Sequence, residues 1–179
     1  MLVSAKAMLQ SAEKGHYGIG AFNTNNLEWA SAILEAAEKT QSPMIIQCTG
    51  GAAKWQTSYR VVADIVRDLV EDMNITVPVA MHLDHGSYED AFKAIEAGFT
   101  SVMYDGSHEP DFETNIKRTA EVVGRTTDYA GTQCIIIGYD ELVAKGFAGS
   151  RLFVIRTNED PNLGIKNVQV GIAENKILL

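Results

Sequence analysis

"VPVAMHLDHGSYEDAFKAIEAGFTSVMYDGS", residues 77–107, decides how the chain is read. "VPVAMHLD" is an apolar run of strand length that ends in polar residues, "SYEDAFKAIEAG" changes to helical spacing, and "TSVMYDGS" returns to strand. A strand, a helix and a second strand in this order make a right-handed βαβ unit on a parallel sheet. The same alternation continues towards the N-terminus. "SAKAMLQSAEK", residues 4–14, predicts a helix with Ser4 as its N-cap and Gly15 at its stop, and "YGIGAFNT" a short strand. "NLEWASAILEAAEKT", with Asn26 as cap, predicts an amphipathic helix. "PMIIQCT" reads as a strand apolar on both faces that runs into "GGAAKW", and residues 57–73 as the next helix. Towards the C-terminus "DFETNIKRTAEVVGR" supplies the helix of the fourth βα unit.

Four such units take up about half of the roughly 250 residues of an eight-unit (β/α) barrel. The expected fold class is therefore α/β and barrel-derived: a half-barrel of four βα units over residues 1–125, followed by a short α/β segment over residues 126–179. In that segment "TQCIIIG" and "SRLFVIRT" read as strands, "YDELVAKGFAG" as a short helix and "NEDPNLG" as a turn, and "IKNVQVGIAENKILL" alternates like a strand or hairpin. A half-barrel leaves two unpaired strand edges. Either residues 132–157 complete the sheet or the chain forms a homo-oligomer.

The composition, 46% hydrophobic and 21% charged over 179 residues, is that of a globular protein with one sizeable core. A net charge of −8 argues against binding nucleic acid or an anionic membrane surface. No apolar run approaches the length of a membrane span and the start lacks a signal peptide's apolar stretch, so a cytoplasmic location is expected. Cys48 and Cys134 are isolated and read as small buried hydrophobes.

In parallel α/β folds, ligands gather at the C-terminal ends of the strands. There the sequence places Asn23, Thr24 and Asn25, then Gln47 and Thr49, then His82, Asp84 and His85, then Asp105, Ser107 and His108. Strict alternation would send His82 and Asp84 to one face and His85 to the other, unless a bend at Gly86 turns His85 inward. Neutral imidazole is a common zinc ligand, and a nearby carboxylate can orient it or move a proton. Alternatively, His82 is a satisfied core histidine and Asp84 caps the turn before the next helix. "CTGGAAK" lacks the full P-loop pattern and "GIG" lacks the third glycine of a dinucleotide fingerprint.

Taken together, "YGIGAFNTNN", "SPMIIQCTGGAAKW", "VPVAMHLDHGSYEDAFKAIEAGFTSVMYDGSH" and "ETNIKRTAEVV" resemble class II, zinc-dependent fructose-bisphosphate and tagatose-bisphosphate aldolases over about residues 1–123. The resemblance implies a (β/α) barrel, usually oligomeric, that cleaves a ketose bisphosphate reversibly to dihydroxyacetone phosphate and an aldehyde. It implies Asp84 as the catalytic acid/base and His85 as a zinc ligand. Asp105 matches an acidic residue associated with a second metal position, and Asn23 and Thr49 fall at substrate contacts. Zinc would act as a Lewis acid on the ketone while a carboxylate moves the C4 hydroxyl proton.

The likeness stops near Arg125. The chain holds four histidines, of which His108 is the last, so the family's two later zinc histidines have no counterpart. A catalytic zinc takes three protein ligands and an open position. His82, His108 and Asp105 are the remaining candidates to join His85. Two other readings therefore stand beside the enzyme: a catalytically inactive truncated or chimeric half-barrel with a structural role, and a phosphosugar-binding module that keeps the loops without the metal.

Overall fold

The structure, a computed structural model, describes residues 1–128 and the backbone of three further strands within residues 134–173. Helix α1 (Ala5–Gly15) leads into β1 (Gly20–Asn23), α2 (Leu27–Thr40), β2 (Met44–Thr49), a short α3 (Gly50–Trp55) and α4 (Tyr59–Asp72). Next come β3 (Val79–Gly86), α5 (Tyr88–Ala97), β4 (Ser101–Tyr104), a 3₁₀ turn (Gly106–His108) and α6 (Phe112–Asp128). Strands β5 (Cys134–Ile136), β6 (Leu152–Glu159) and β7 (Lys166–Ala173) follow.

All seven described strands form one sheet in chain order, so each described βαβ crossover returns to a neighbouring position. Strands β1 to β6 pair in parallel, and β7 turns back antiparallel along β6. This is the α/β architecture that the strand and helix periodicities require. The helix expected over residues 139–149 lies outside the described residues. Asn158 and Glu159, expected to open a turn, belong instead to β6, and the rest of that expected turn lies outside the described residues.

Local chemistry accounts for the helix starts. Ser4, Asn26, Ser58 and Ser87 each accept a hydrogen bond from a backbone N–H in the first turn of the helix they cap. Helix α1 ends one residue later than expected. Gly15 is its last helical residue, and His16 takes the left-handed conformation at φ 53°. Helix α3 was not legible in "GGAAKW", because two glycines weaken helix propensity. What starts it is Thr49, whose Oγ1 accepts from the Ala52 N–H at 3.2 Å.

One face of the sheet packs on the helices. Met44 and Ile46 of β2, Met81 and Leu83 of β3, Leu34 of α2 and Val66 of α4 share a single buried core. Strand β2 is not buried on both faces as expected: Met44, Ile46 and Cys48 are buried, whereas Ile45, Gln47 and Thr49 are only partly covered. Those three side chains face the other side of the sheet. There α1 closes the end nearest the strand starts, with Ala5 and Met8 packed on Ala80 beside Ile45. The polar strand tips lie at the opposite end.

Strand β3 is buried throughout up to Leu83 and then becomes irregular. Its pairing with β4 shifts register between Leu83 and Gly86, and His85 takes a left-handed φ of 51°. Gly86 is needed for space: a Cβ there would lie 2.3 Å from Leu83 Cδ2 and 3.3 Å from the Met103 carbonyl oxygen. Leu83 is fully buried, so it would have to repack within the core. Gly86→Ala is expected to destabilise the fold by about 1–3 kcal/mol through overpacking. Urea unfolding measures this, and an unchanged midpoint would contradict the tight packing at this bulge.

Candidate active site

Parallel register brings the strand tips together. Asn23 of β1 pairs with Gln47 of β2, Gln47 pairs with His82 of β3, and Thr49 pairs with Asp84. Asn23, Gln47 and His82 lie side by side on one face, with Asp84 two residues further along that face. His82 pairs in turn with Ser101 of β4.

His82 and His85 are used differently. His82 is 5% exposed, and its Nδ1 lies 2.8 Å from Ser101 Oγ. Burial, helped by the nearby His85, pushes its pKa down to about 3. It is a satisfied core histidine. His85 stands at the surface, and its left-handed backbone swings the ring to the side of the two carboxylates. Its Nδ1 is 2.8 Å from Asp105 Oδ2, and its Nε2 is 3.9 Å from Asp84 Oδ1. The irregularity that turns the ring is thus at His85 itself, one residue before the bend expected at Gly86.

The two carboxyl groups titrate apart. Burial raises Asp84, the His85 imidazole opposes this and the Asp105 charge adds to it, so the group stands above the ordinary carboxylate range. Burial also acts to raise Asp105, but hydrogen bonds from His85 and Ser107 outweigh it and hold this group below that range. Asp84 is not a helix cap, because Ser87 caps α5. Its Oδ2 instead accepts from Gln47 Nε2 at 3.2 Å, and the same nitrogen donates to Asn23 Oδ1 at 2.6 Å.

The loop after β4 is braced from behind. Arg118 of α6 donates to both oxygens of Glu109 at 2.8 and 2.7 Å, and the Tyr104 hydroxyl donates to Glu109 Oε1 at 2.6 Å. The Arg118 guanidinium also lies 5.0 Å from the centre of the Tyr88 ring. Sequence reasoning missed Glu109 and Arg118, since their nine-residue separation matches no helical or strand repeat. A cleft of about 680 Å³ opens at the strand ends, with Thr49, His85, Asp105, His108 and Arg118 among its walls. A larger cavity of about 940 Å³ between α3, α4 and α5 contains neither His85 nor Asp105, whereas the strand-end cleft contains both.

The fit to a metal is partial. A ligating histidine characteristically gives its second ring nitrogen to a carboxylate, as His85 does to Asp105, leaving Nε2 for the ion. Yet among the described residues no three His, Cys, Asp or Glu side chains converge as a metal site. His82, buried against Ser101, does not join His85. The described donors do not make a complete zinc shell.

A model of the family described as Fructose-bisphosphate aldolase class-II matches residues 3–132. A fructose-bisphosphate aldolase of Streptococcus pyogenes is 57% identical over 122 residues, which is 68% of this chain and 41% of the relative. One of Geobacillus stearothermophilus is 55% identical over 123 residues, 68% of this chain and 42% of the relative. The chain thus spans less than half the length of these relatives. Among solved structures, the YdjI aldolase of Escherichia coli superimposes with a TM-score of 0.67 at 33% identity, covering 76% of this chain and 50% of that one.

The neutral, buried His82 makes a prediction about pH. Its pKa is lower folded than unfolded, so its contribution to stability is fully present above about pH 6.5. That contribution is lost as pH falls towards 3, because the unfolded chain takes up a proton that the folded chain refuses. His82→Gln is expected to flatten the fall in unfolding free energy between neutral and mildly acidic pH. Denaturant titrations across that range measure the slope, and equal slopes in both proteins would contradict the assignment.

Proposed function

Because the chain belongs to the class II fructose-bisphosphate aldolase family, we propose that its strand-end site carries out retro-aldol cleavage of a ketose bisphosphate. The substrate is fructose or tagatose 1,6-bisphosphate, and the products are dihydroxyacetone phosphate and an aldehyde. One observation carries the reading: a half-buried carboxyl group with raised pKa, Asp84, stands beside His85 at the strand tips, with Asn23 alongside. Asp84 is the acid/base. As a carboxylate it takes the proton of the C4 hydroxyl, the C3–C4 bond breaks, and the electron pair moves to the C2 oxygen of the dihydroxyacetone phosphate portion. A raised pKa suits this role, since a base that must later return the proton works best near the operating pH.

His85 and Asp105 are the residues assigned to the metal, His85 through Nε2 and Asp105 by holding the ring. Zinc is the ion that the family implies, but the described donors do not complete its shell, so each step here rests on the protein's own groups. Asn23 and Thr49 are assigned to substrate contact. Thr49 also caps α3, which orients its hydroxyl at the cleft wall. We further divide the chain at residue 125 into the half-barrel and an α/β segment that extends its sheet. We assign the protein to the cytoplasm as a homo-oligomer. No described helix is long and apolar enough to cross a membrane. The incomplete donor set among the described residues favours a second reading, a catalytically inactive truncated or chimeric half-barrel with a structural role.

The purified chain, assayed on fructose and tagatose 1,6-bisphosphate with triose phosphate formation coupled to a reporter, tests the first reading. Elemental analysis for zinc accompanies it. Turnover is expected, with Asp84→Asn lowering kcat by roughly 100-fold or more. An inactive, metal-free chain would favour the second reading instead. The acid limb of the pH–rate profile should also fall above the ordinary carboxylate range, in the direction of the Asp84 shift. A limb inside that range would remove Asp84 as the titrating base.

A further inference from the structure

We propose that Gln47 is a positioning residue of this site, whose one amide nitrogen sets which oxygen of Asp84 exchanges the proton and which atom of Asn23 meets the substrate. The proposal rests on the aldolase reading for its chemistry but on separate geometry for the positioning itself. Gln47 Nε2 carries two hydrogens, and two acceptors flank it: Asn23 Oδ1 at 2.6 Å and Asp84 Oδ2 at 3.2 Å. Asn23 can turn its own amide to match either orientation of Gln47, but the Asp84 carboxylate only accepts, so ionised Asp84 fixes Gln47 with Nε2 towards it and Asn23 follows with Oδ1 towards that nitrogen.

Each neighbour is oriented in consequence. With Oδ1 of Asn23 held by Gln47, the Asn23 Nδ2 is turned away and left to donate to a substrate oxygen. With Oδ2 of Asp84 held by Gln47, the free oxygen is Oδ1, which is the one on the His85 side at 3.9 Å from Nε2. The placement follows from β1, β2 and β3 pairing in parallel, which puts Gln47 directly beside Asn23 and diagonal to Asp84. Gln47 itself is partly exposed and takes no part in the helix-facing core, so its side chain can be changed without opening a cavity there.

The test uses the full chain, ¹⁵N-labelled, with Gln47→Leu, Gln47→Glu and Asp84→Ala. In side-chain amide spectra, Asp84→Ala should shift one Gln47 Nε2 proton and quicken its exchange while the other holds. Gln47→Glu should shift the Asn23 Nδ2 protons, because the carboxylate introduced there draws them round. In cleavage assays Gln47→Leu should lose roughly 10-fold or more in kcat, since a misplaced reacting group costs rate before it costs binding. Gln47→Glu should in addition raise KM, as Asn23 turns its donor away from substrate. A merely structural Gln47 would lower the melting temperature and leave kcat and KM of the folded fraction alone. Unchanged kinetic constants in an active protein, or Gln47 protons indifferent to Asp84→Ala, would overturn the proposal. A wild-type chain without turnover would remove the aldolase reading only, and the amide spectra would still decide whether Gln47 positions its two neighbours.

Discussion

Asp84 and His85 are consecutive residues whose side chains face the same small volume, which a regular β-strand forbids. The structure escapes the constraint at one residue. His85 adopts a left-handed backbone, the β3–β4 register slips, and its ring comes round to lie between two carboxylates. Left-handed φ is disfavoured for a side chain with a Cβ. It is held here by what surrounds it: Asp105 grips Nδ1, the His85 N–H lies against Met103 Sδ at 3.3 Å, and Gly86 leaves room for Leu83. Strain of this kind, held by its neighbours, is characteristic of functional positions.

The rest of the site is arranged around that residue by ordinary means. Parallel pairing sets Asn23 beside Gln47, with Asp84 diagonal to Gln47, without needing any long loop. Thr49 caps the short α3 at the cleft wall, and the Arg118–Glu109 pair, 42% and 9% exposed, braces the turn that carries Asp105. Its value lies in geometry more than in net stability, since a partly exposed ion pair contributes little by itself. Electrostatics then separates the two carboxyl groups. Asp105, which accepts from His85 and Ser107, is held below its ordinary value, while burial raises the half-buried Asp84 above its own.

Much of the fold was legible because the periods are clean. Residues 27–40 and 59–72 are amphipathic helices, and residues 79–83 an apolar strand, so the βαβ alternation followed. The candidate site residues were legible too, as polar types at strand ends. What was not legible is how they combine. His82 and His85 look equivalent in "HLDHG", yet one is a buried, neutral partner of Ser101 and the other an exposed group facing Asp84 and Asp105. Helix α3 was hidden by its glycines, and Glu109 and Arg118 by their separation.

The chain's own pattern determined the α/β class, the order of its first four βα units and the set of residues gathered at the strand tips. Those features depend on local propensity and spacing, which neighbouring residues express by themselves. Tertiary structure decided which way His85 points, which histidine loses its proton to burial, and that Gln47 bridges Asn23 to Asp84. These depend on register between strands far apart in sequence and on desolvation, and neither quantity exists until the strands have paired.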